Sequence, residues 1–259
     1  MNIAEQRYRD LQSLARASER SMQELLTLYA LECFLSRVAQ SSMREKLVLK
    51  GGVLIASLIQ EDGIMFDFTA ASAETIRDDD EYSGVRVSLI ATLHTARISF
   101  HIDLNVGDPI VPGAKEITLP RMLEDANQIS LLGYPISMVL AEKMVTAIQR
   151  GTANTRWRDF GDIYQLSRRH PISSSDLMNS MRAVAEYRAV AISTLKVSLP
   201  GYAEIGQAKY ENWRGKQDRQ ELPENFGELL DSVFAFTDSL ITADPSVDTH
   251  WDPLGLFWR

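Results

Sequence analysis

Near Gly133 the period at which apolar residues recur lengthens from two to three or four and stays there to about residue 242, and that change limits the possible folds more than any other feature. Upstream, Val85, Val87, Leu89 and Ala91 alternate with Arg86, Ser88, Ile90 and Thr92. In the next run Ile98, Phe100, Ile102 and Leu104 alternate with Ser99, His101, Asp103 and Asn105. A period of two places one set on the buried face of a strand and the other on the opposite face. His94-Thr95 reads as the hairpin link, and Gly107-Asp108-Pro109 and Pro112-Gly113 as turns that close the sheet. A β-like run over residues 63–68 precedes them. From Pro135 the recurrence lengthens to three and four residues. It predicts helices over 135–150, 156–169, 174–189, 204–219 and 225–242. Pro135 suits a first helical turn, Gly151 a C-cap, and residues 173–176 an N-cap.

Two helices open the chain, over 3–17 and 21–40. In the second, Met22, Leu25, Leu26, Tyr29, Ala30, Cys33 and Phe34 form one apolar face, and Ser21 with Glu24 makes a capping box. Residues 46–49 read as a short strand, with a helix starting at Gly52. The tail, 244–259, reads as irregular, but Trp251, Phe257 and Trp258 predict that it docks on the body. The expected class is therefore α/β (α+β), with an α/β domain over 1–134 and a helical domain over 135–259.

Bulk composition narrows the setting. At 259 residues, 45% of them hydrophobic and 24% charged, the chain can bury one large core or two modest ones. No apolar run approaches the roughly 18 residues of a membrane span, and the first twenty residues lack a signal-peptide core. A single cysteine, Cys33, cannot form an internal disulfide, so a cytoplasmic protein is expected. The net charge of -8 argues against general coating of nucleic acid. The charge is uneven, however. Residues 135–219 hold 13 Lys and Arg against 8 Asp and Glu, out of 27 and 35 in the whole chain. A basic region on an acidic protein fits either a solvated helical surface or contact with a phosphate backbone.

Chemistry-bearing residues gather at three places. Leu47-Val48-Leu49-Lys50-Gly51-Gly52 leads a strand into a glycine pair and a helix. Backbone amides can approach a phosphate closely there, and Lys50 adds a cation, although glycine pairs also simply make turns. Asp103 lies mid-strand on the polar face, with His101 two residues before it. A carboxylate fixed on a strand can hold a metal, or can simply face solvent. On the helices, Lys143 and Arg150 share a face, as do Asp159 and Asp162, with Arg158 beside them. A lysine and aspartates converging from neighbouring helices make a buried ion pair or orient a triphosphate, and spacing leaves both open. There is no Cys/His cluster, Walker A loop, kinase signature or Gly-x-Ser-x-Gly elbow.

Taken in order, these pieces resemble a known family. Leu49-Lys50-Gly51-Gly52 is followed by Gly84-Val85-Arg86-Val87, then by Ile102-Asp103-Leu104 with Gly107-Asp108-Pro109. Next come Ala141-Glu142-Lys143 and Asn154-Thr155-Arg156-Trp157-Arg158-Asp159-Phe160-Gly161-Asp162. Over about residues 47–188 the chain resembles the AbiEii/AbiGii-type nucleotidyltransferase toxins, and looks closest to their MenT branch. The resemblance implies a polymerase-β-like nucleotidyltransferase core with a helical C-terminal domain. It also implies an NTP substrate with Mg2+, transfer of nucleotides to the 3′ acceptor end of tRNA, and a cognate antitoxin protein. By position, Lys50, Gly51, Gly52, Arg158 and Asp162 would bind nucleotide. Asp103, as the metal ligand, would act with Lys143 and Asp159 as the catalytic set, and Arg150, Arg156, Arg168 and Arg169 would take the RNA.

Two departures stand out. Val53 follows the glycine pair where the family usually has Ser or Thr. The family also places an Asp-x-Asp strand soon after the glycine helix. Here Ala56-Ser57-Leu58-Ile59-Gln60 runs almost directly into Glu61-Asp62-Gly63, as though a strand and a turn were missing near Ser57 and Leu58. Asp78-Asp79-Asp80 lies in a polar segment and is a poor substitute. Without that pair, Asp103 alone should not support two-metal transfer. The expectation is therefore a tRNA-modifying nucleotidyltransferase toxin, against two alternatives. One is a catalytically inactive relative that binds RNA or a partner, and the other a phosphotransferase acting on protein or nucleotide.

Overall fold

The computed structural model describes residues 2–18, 20–49, 62–77, 83–123, 128–244 and 246–259. Lys50, Gly51, Gly52, Val53, the helix expected from Gly52, the junction at Ser57 and Leu58, and Asp78-Asp79-Asp80 lie outside these residues. The fold mixes helix and sheet, as the change of period predicts. Contacts divide it into two compact units, Met1–Gly107 with Ala114–Gly133, and Asp108–Gly113 with Tyr134–Arg259.

In the first unit, helices α1 (Ile3–Ser18) and α2 (Met22–Ala39) pack with two small sheets. Ser21 accepts from the Glu24 amide at 3.1 Å, so the expected cap starts α2. The apolar face of α2, with Leu25, Tyr29, Cys33 and Phe34 buried, meets Leu89, Ile98, Phe100 and Ile102. Those last residues belong to the antiparallel sheet β2 (Ile64–Arg77), β3 (Ser83–Leu93) and β4 (Ala96–Leu104). The turn at His94-Thr95 fixes its register, so that Leu93 pairs with Ala96 and Arg86 with Asp103. Strand β2 runs past the expected end at Phe68. After a bulge between Asp67 and Ser72, where the Asp67 carboxylate accepts from Thr69, it pairs with β3 again. The second sheet, β1 (Val48–Leu49), β6 (Ile129–Gly133) and β5 (Lys115–Leu119), holds two strands that spacing does not show. An ion pair between buried Arg37 and Asp62, at 2.5 and 3.1 Å, ties α2 to the start of β2.

The second unit is helical around a core of its own. Helix α3 (Ile136–Arg150) ends at Gly151, whose φ of 52° is open to glycine at little cost. A 3-10 turn leads to α4 (Trp157–Arg169), then come α5 (Ser174–Tyr187), a one-turn α6 (Leu195–Ser198), α7 (Tyr202–Lys216) and α8 (Phe226–Thr242). Ser173 caps α5 through the Asp176 amide, as expected. The tail is more ordered than its sequence indicates. β8 (His250–Asp252) and β9 (Phe257–Trp258) form a hairpin on β7 (Ile172–Ser173). Trp251 and Trp258 close over Phe236, and their indole N–H groups donate to the carbonyls of Ser167 and Phe236 at 2.7 and 3.0 Å.

Candidate functional site

Helix α3 buries Met138, Ala141, Met144 and Val145, and Lys143 sits at the border of that face with 18% of its side chain exposed. On α4, Trp157, Phe160 and Ile163 turn into the core. Asp159, one residue before Phe160, is carried inward with them and is 3% exposed. A buried carboxylate needs a cation. The Lys143 Nζ supplies it, donating to Asp159 Oδ1 at 2.9 Å and to Asp162 Oδ2 at 2.8 Å. Asp159 and Asp162 are one turn apart, so both reach the same ammonium. Arg156 Nε lies 2.7 Å from Asp159 Oδ2 without hydrogen-bond alignment, since that oxygen has no donor among the described residues. Arg158, 77% exposed, lies 3.6 Å from Asp162. Three cations against two carboxylates leave the cluster positive. An ammonium has three donors, and among the described residues two of them meet carboxylate oxygens.

The first turn of α4 has its own supports. The Arg156 amide donates to Asn154 Oδ1 at 2.8 Å, an Asx turn that starts the helix. The Tyr202 hydroxyl, from α7, donates to the Asn154 carbonyl at 2.6 Å, and the Tyr202 and Trp157 rings stack at 5.5 Å. Burial pushes the Tyr202 hydroxyl well above the usual tyrosine range, which keeps it a donor.

The remaining sequence-predicted residues are placed as follows. Arg150 is half-buried at the end of α3, and Arg169 is exposed in the last turn of α4. Arg168 folds over the Tyr164 ring at 3.6 Å and donates to Ser232 at 2.6 Å, so its guanidinium is engaged within the unit. Asp103 belongs to the other unit, on β4. Arg86 grips it with two hydrogen bonds, at 2.7 and 2.9 Å, which hold the Asp103 carboxyl below the usual carboxylate range. Each oxygen thus accepts one bond from Arg86, and no three His, Cys, Asp or Glu side chains gather where they could hold a metal among the described residues. The described residues do not by themselves fit a magnesium site. Sequence reasoning missed Arg86 as the partner of Asp103, and Tyr202 altogether.

Residues 58–232 match the family described as nucleotidyl transferase AbiEii toxin, type IV TA system. The chain belongs to this family. No curated protein and no solved structure matches it. The AbiEii match takes in Asp103, Lys143, Asp159 and Asp162, and begins downstream of the glycine pair. The family is one of nucleotidyltransferase toxins from toxin–antitoxin systems. Among the described residues, no helix is long and apolar enough to cross a membrane.

Proposed function

We propose that the protein is a toxin that transfers nucleotides from an NTP to the 3′ acceptor end of tRNA, as in the MenT branch, under the restraint of a cognate antitoxin in the cytoplasm. The observation that carries this reading is the Lys143 ammonium, clamped by Asp159 and Asp162 on a side chain still 18% exposed. A cation fixed in this way meets a phosphate oxygen without reorganising, which is how enzymes stabilise charge on a transferring phosphoryl group. In the reaction the RNA 3′ hydroxyl attacks the α-phosphorus and releases its proton to solvent, a P–O bond forms, and pyrophosphate leaves with the electrons of the bond that breaks. Lys143 holds an oxygen of the polyphosphate, and Asp159 and Asp162 hold Lys143. Arg158, the most exposed of the cluster's cations, draws the polyphosphate in, and Arg156 and Arg169 offer charge to the RNA backbone.

A second reading, an inactive relative that only binds RNA or the antitoxin, is favoured by one observation. No Asp-x-Asp pair lies between Gly52 and Gly63, the place where the family's metal ligands are expected, which leaves Asp103, itself paired with Arg86, without them. Incubating the full chain with each of the four α-labelled NTPs and total tRNA separates the readings. Label that nuclease trimming of the 3′ end removes supports transfer to tRNA, and label on protein supports a different phosphotransferase. No label, with tRNA binding that weakens steeply as salt rises, supports the inactive relative.

A further inference from the structure

We propose that Tyr202 is a positioning residue for the Lys143–Asp159–Asp162 cluster, holding the first turn of α4 at the height where both aspartates meet the lysine. This rests on the reading of that cluster as the nucleotide site. Lys143 and the aspartates are on different helices, so their 2.8–2.9 Å contacts depend on how α4 is seated beside α3. The seat comes from a third helix. Tyr202, 1% exposed on α7, grips the start of α4 in two ways. Its hydroxyl takes the Asn154 carbonyl, and its ring stacks on Trp157 at an interplanar angle of 13°. Between those two residues, the Asn154 side chain accepts the Arg156 amide, and the Arg156 carbonyl accepts the Asp159 amide at 2.9 Å. Three hydrogen bonds, joined through the covalent frames of Asn154 and Arg156, therefore connect Tyr202 to the backbone of Asp159.

The grip has no slack. Phe226 lies edge-on to both Trp157 and Tyr202, at 5.4 and 5.5 Å. Gly206, one turn along α7 from Tyr202, faces the same rings, and a Cβ there would come within 2.7 Å of Phe226 and 2.9 Å of Trp157. Packing this close transmits a shift rather than absorbing it. Transfer chemistry is sensitive to displacements well under 1 Å in the groups that hold the substrate. Loss of the Tyr202 hydroxyl should therefore reach the lysine cluster without touching it.

The test uses the full chain. Tyr202→Phe removes the hydroxyl and keeps the stack; Asn154→Asp keeps the side-chain acceptor, and Asn154→Ala removes it. We expect Tyr202→Phe to lower the kcat of labelled nucleotide incorporation about tenfold, with the KM for NTP within about twofold of the parent. Asn154→Ala should behave likewise, Asn154→Asp, which keeps the acceptor but buries a charge, should recover part of that loss, and the double variant Tyr202→Phe/Asn154→Ala should be little worse than either single one. Amide exchange at Asp159 should quicken about tenfold in Tyr202→Phe, with the middle of α3 unchanged. Parental kcat and parental exchange in Tyr202→Phe would overturn the proposal, as would fully additive losses. Lys143→Met in the same assay separates the two claims. If it is dead while Tyr202→Phe is unaffected, the positioning role falls and the site stands. If the parent incorporates nothing, the reading of the reaction falls and the exchange measurement decides the positioning by itself.

Discussion

Each of three buried or half-buried charges has a partner set by geometry, and the three partners were legible to different degrees. Lys143 with Asp159 and Asp162 could be anticipated, because an i, i+3 pair on one helix facing a lysine on the preceding one follows from periodicity. Arg86 with Asp103 was within reach. Once His94-Thr95 is taken as the link, residues equally far from it face each other, and both of these stand eight residues away. Glu32 with Arg121 was out of reach, since α2 meets the segment after β5 through tertiary packing alone. Burial raises the Glu32 carboxyl, against the pull of the Met122 amide and of Arg121, 3.2 Å away. The folded state thus holds this proton more tightly than the unfolded chain. The stability it contributes is complete below the ordinary glutamate value of about 4.3 and is lost as pH rises through the raised midpoint. A carboxyl NMR titration should place Glu32 above that ordinary value, and Glu32→Gln should remove the matching step in stability. A midpoint at or below it would show that Arg121 and Met122 outweigh burial.

Among the elements, those with a long local signal were the ones that could be read. α2, α3, α4, α5 and α8 carry a repeated apolar face and, at Ser21 and Ser173, the side-chain cap that starts them. β5, β6 and the strands of the tail are two to five residues long and owe their existence to pairing partners far along the chain. No window of sequence contains that information. The tail could be foreseen as docked, through its tryptophans, but not as a hairpin. Its turn is set by Asp252, whose carboxylate accepts from the Leu254 and Gly255 amides. Trp251→Ala should remove the indole from a 4.8 Å edge contact with Phe236 and lower stability by about 3–5 kcal/mol in a denaturant titration. A loss under about 1 kcal/mol would mean that the hairpin is dispensable. Gly206→Ala tests the packing of α7 on α4. Alanine gains roughly 1 kcal/mol of helix propensity, but its methyl meets two buried rings, so a net loss of about 1 kcal/mol is expected. Net stabilisation would show that the rings can give way.

Across the whole molecule, the net charge of -8 conceals a positive helical stretch, which under the proposed function is the surface that meets RNA. Binding of tRNA should then weaken with salt in proportion to the phosphates neutralised. Replacing the exposed Arg158 and Arg169 together by Ala should make the slope of log K against log salt shallower by about 1.4–1.8. An unchanged slope would place the RNA on another surface. The central claim, that the lysine clamped between two aspartates serves nucleotide transfer, is tested most directly by Lys143→Met. Its initial rate of labelled nucleotide incorporation into tRNA is to be measured beside the parent, with thermal unfolding as a control. A loss of roughly 100-fold or more is expected, with the variant still folded. Incorporation at the parental rate by Lys143→Met would contradict it.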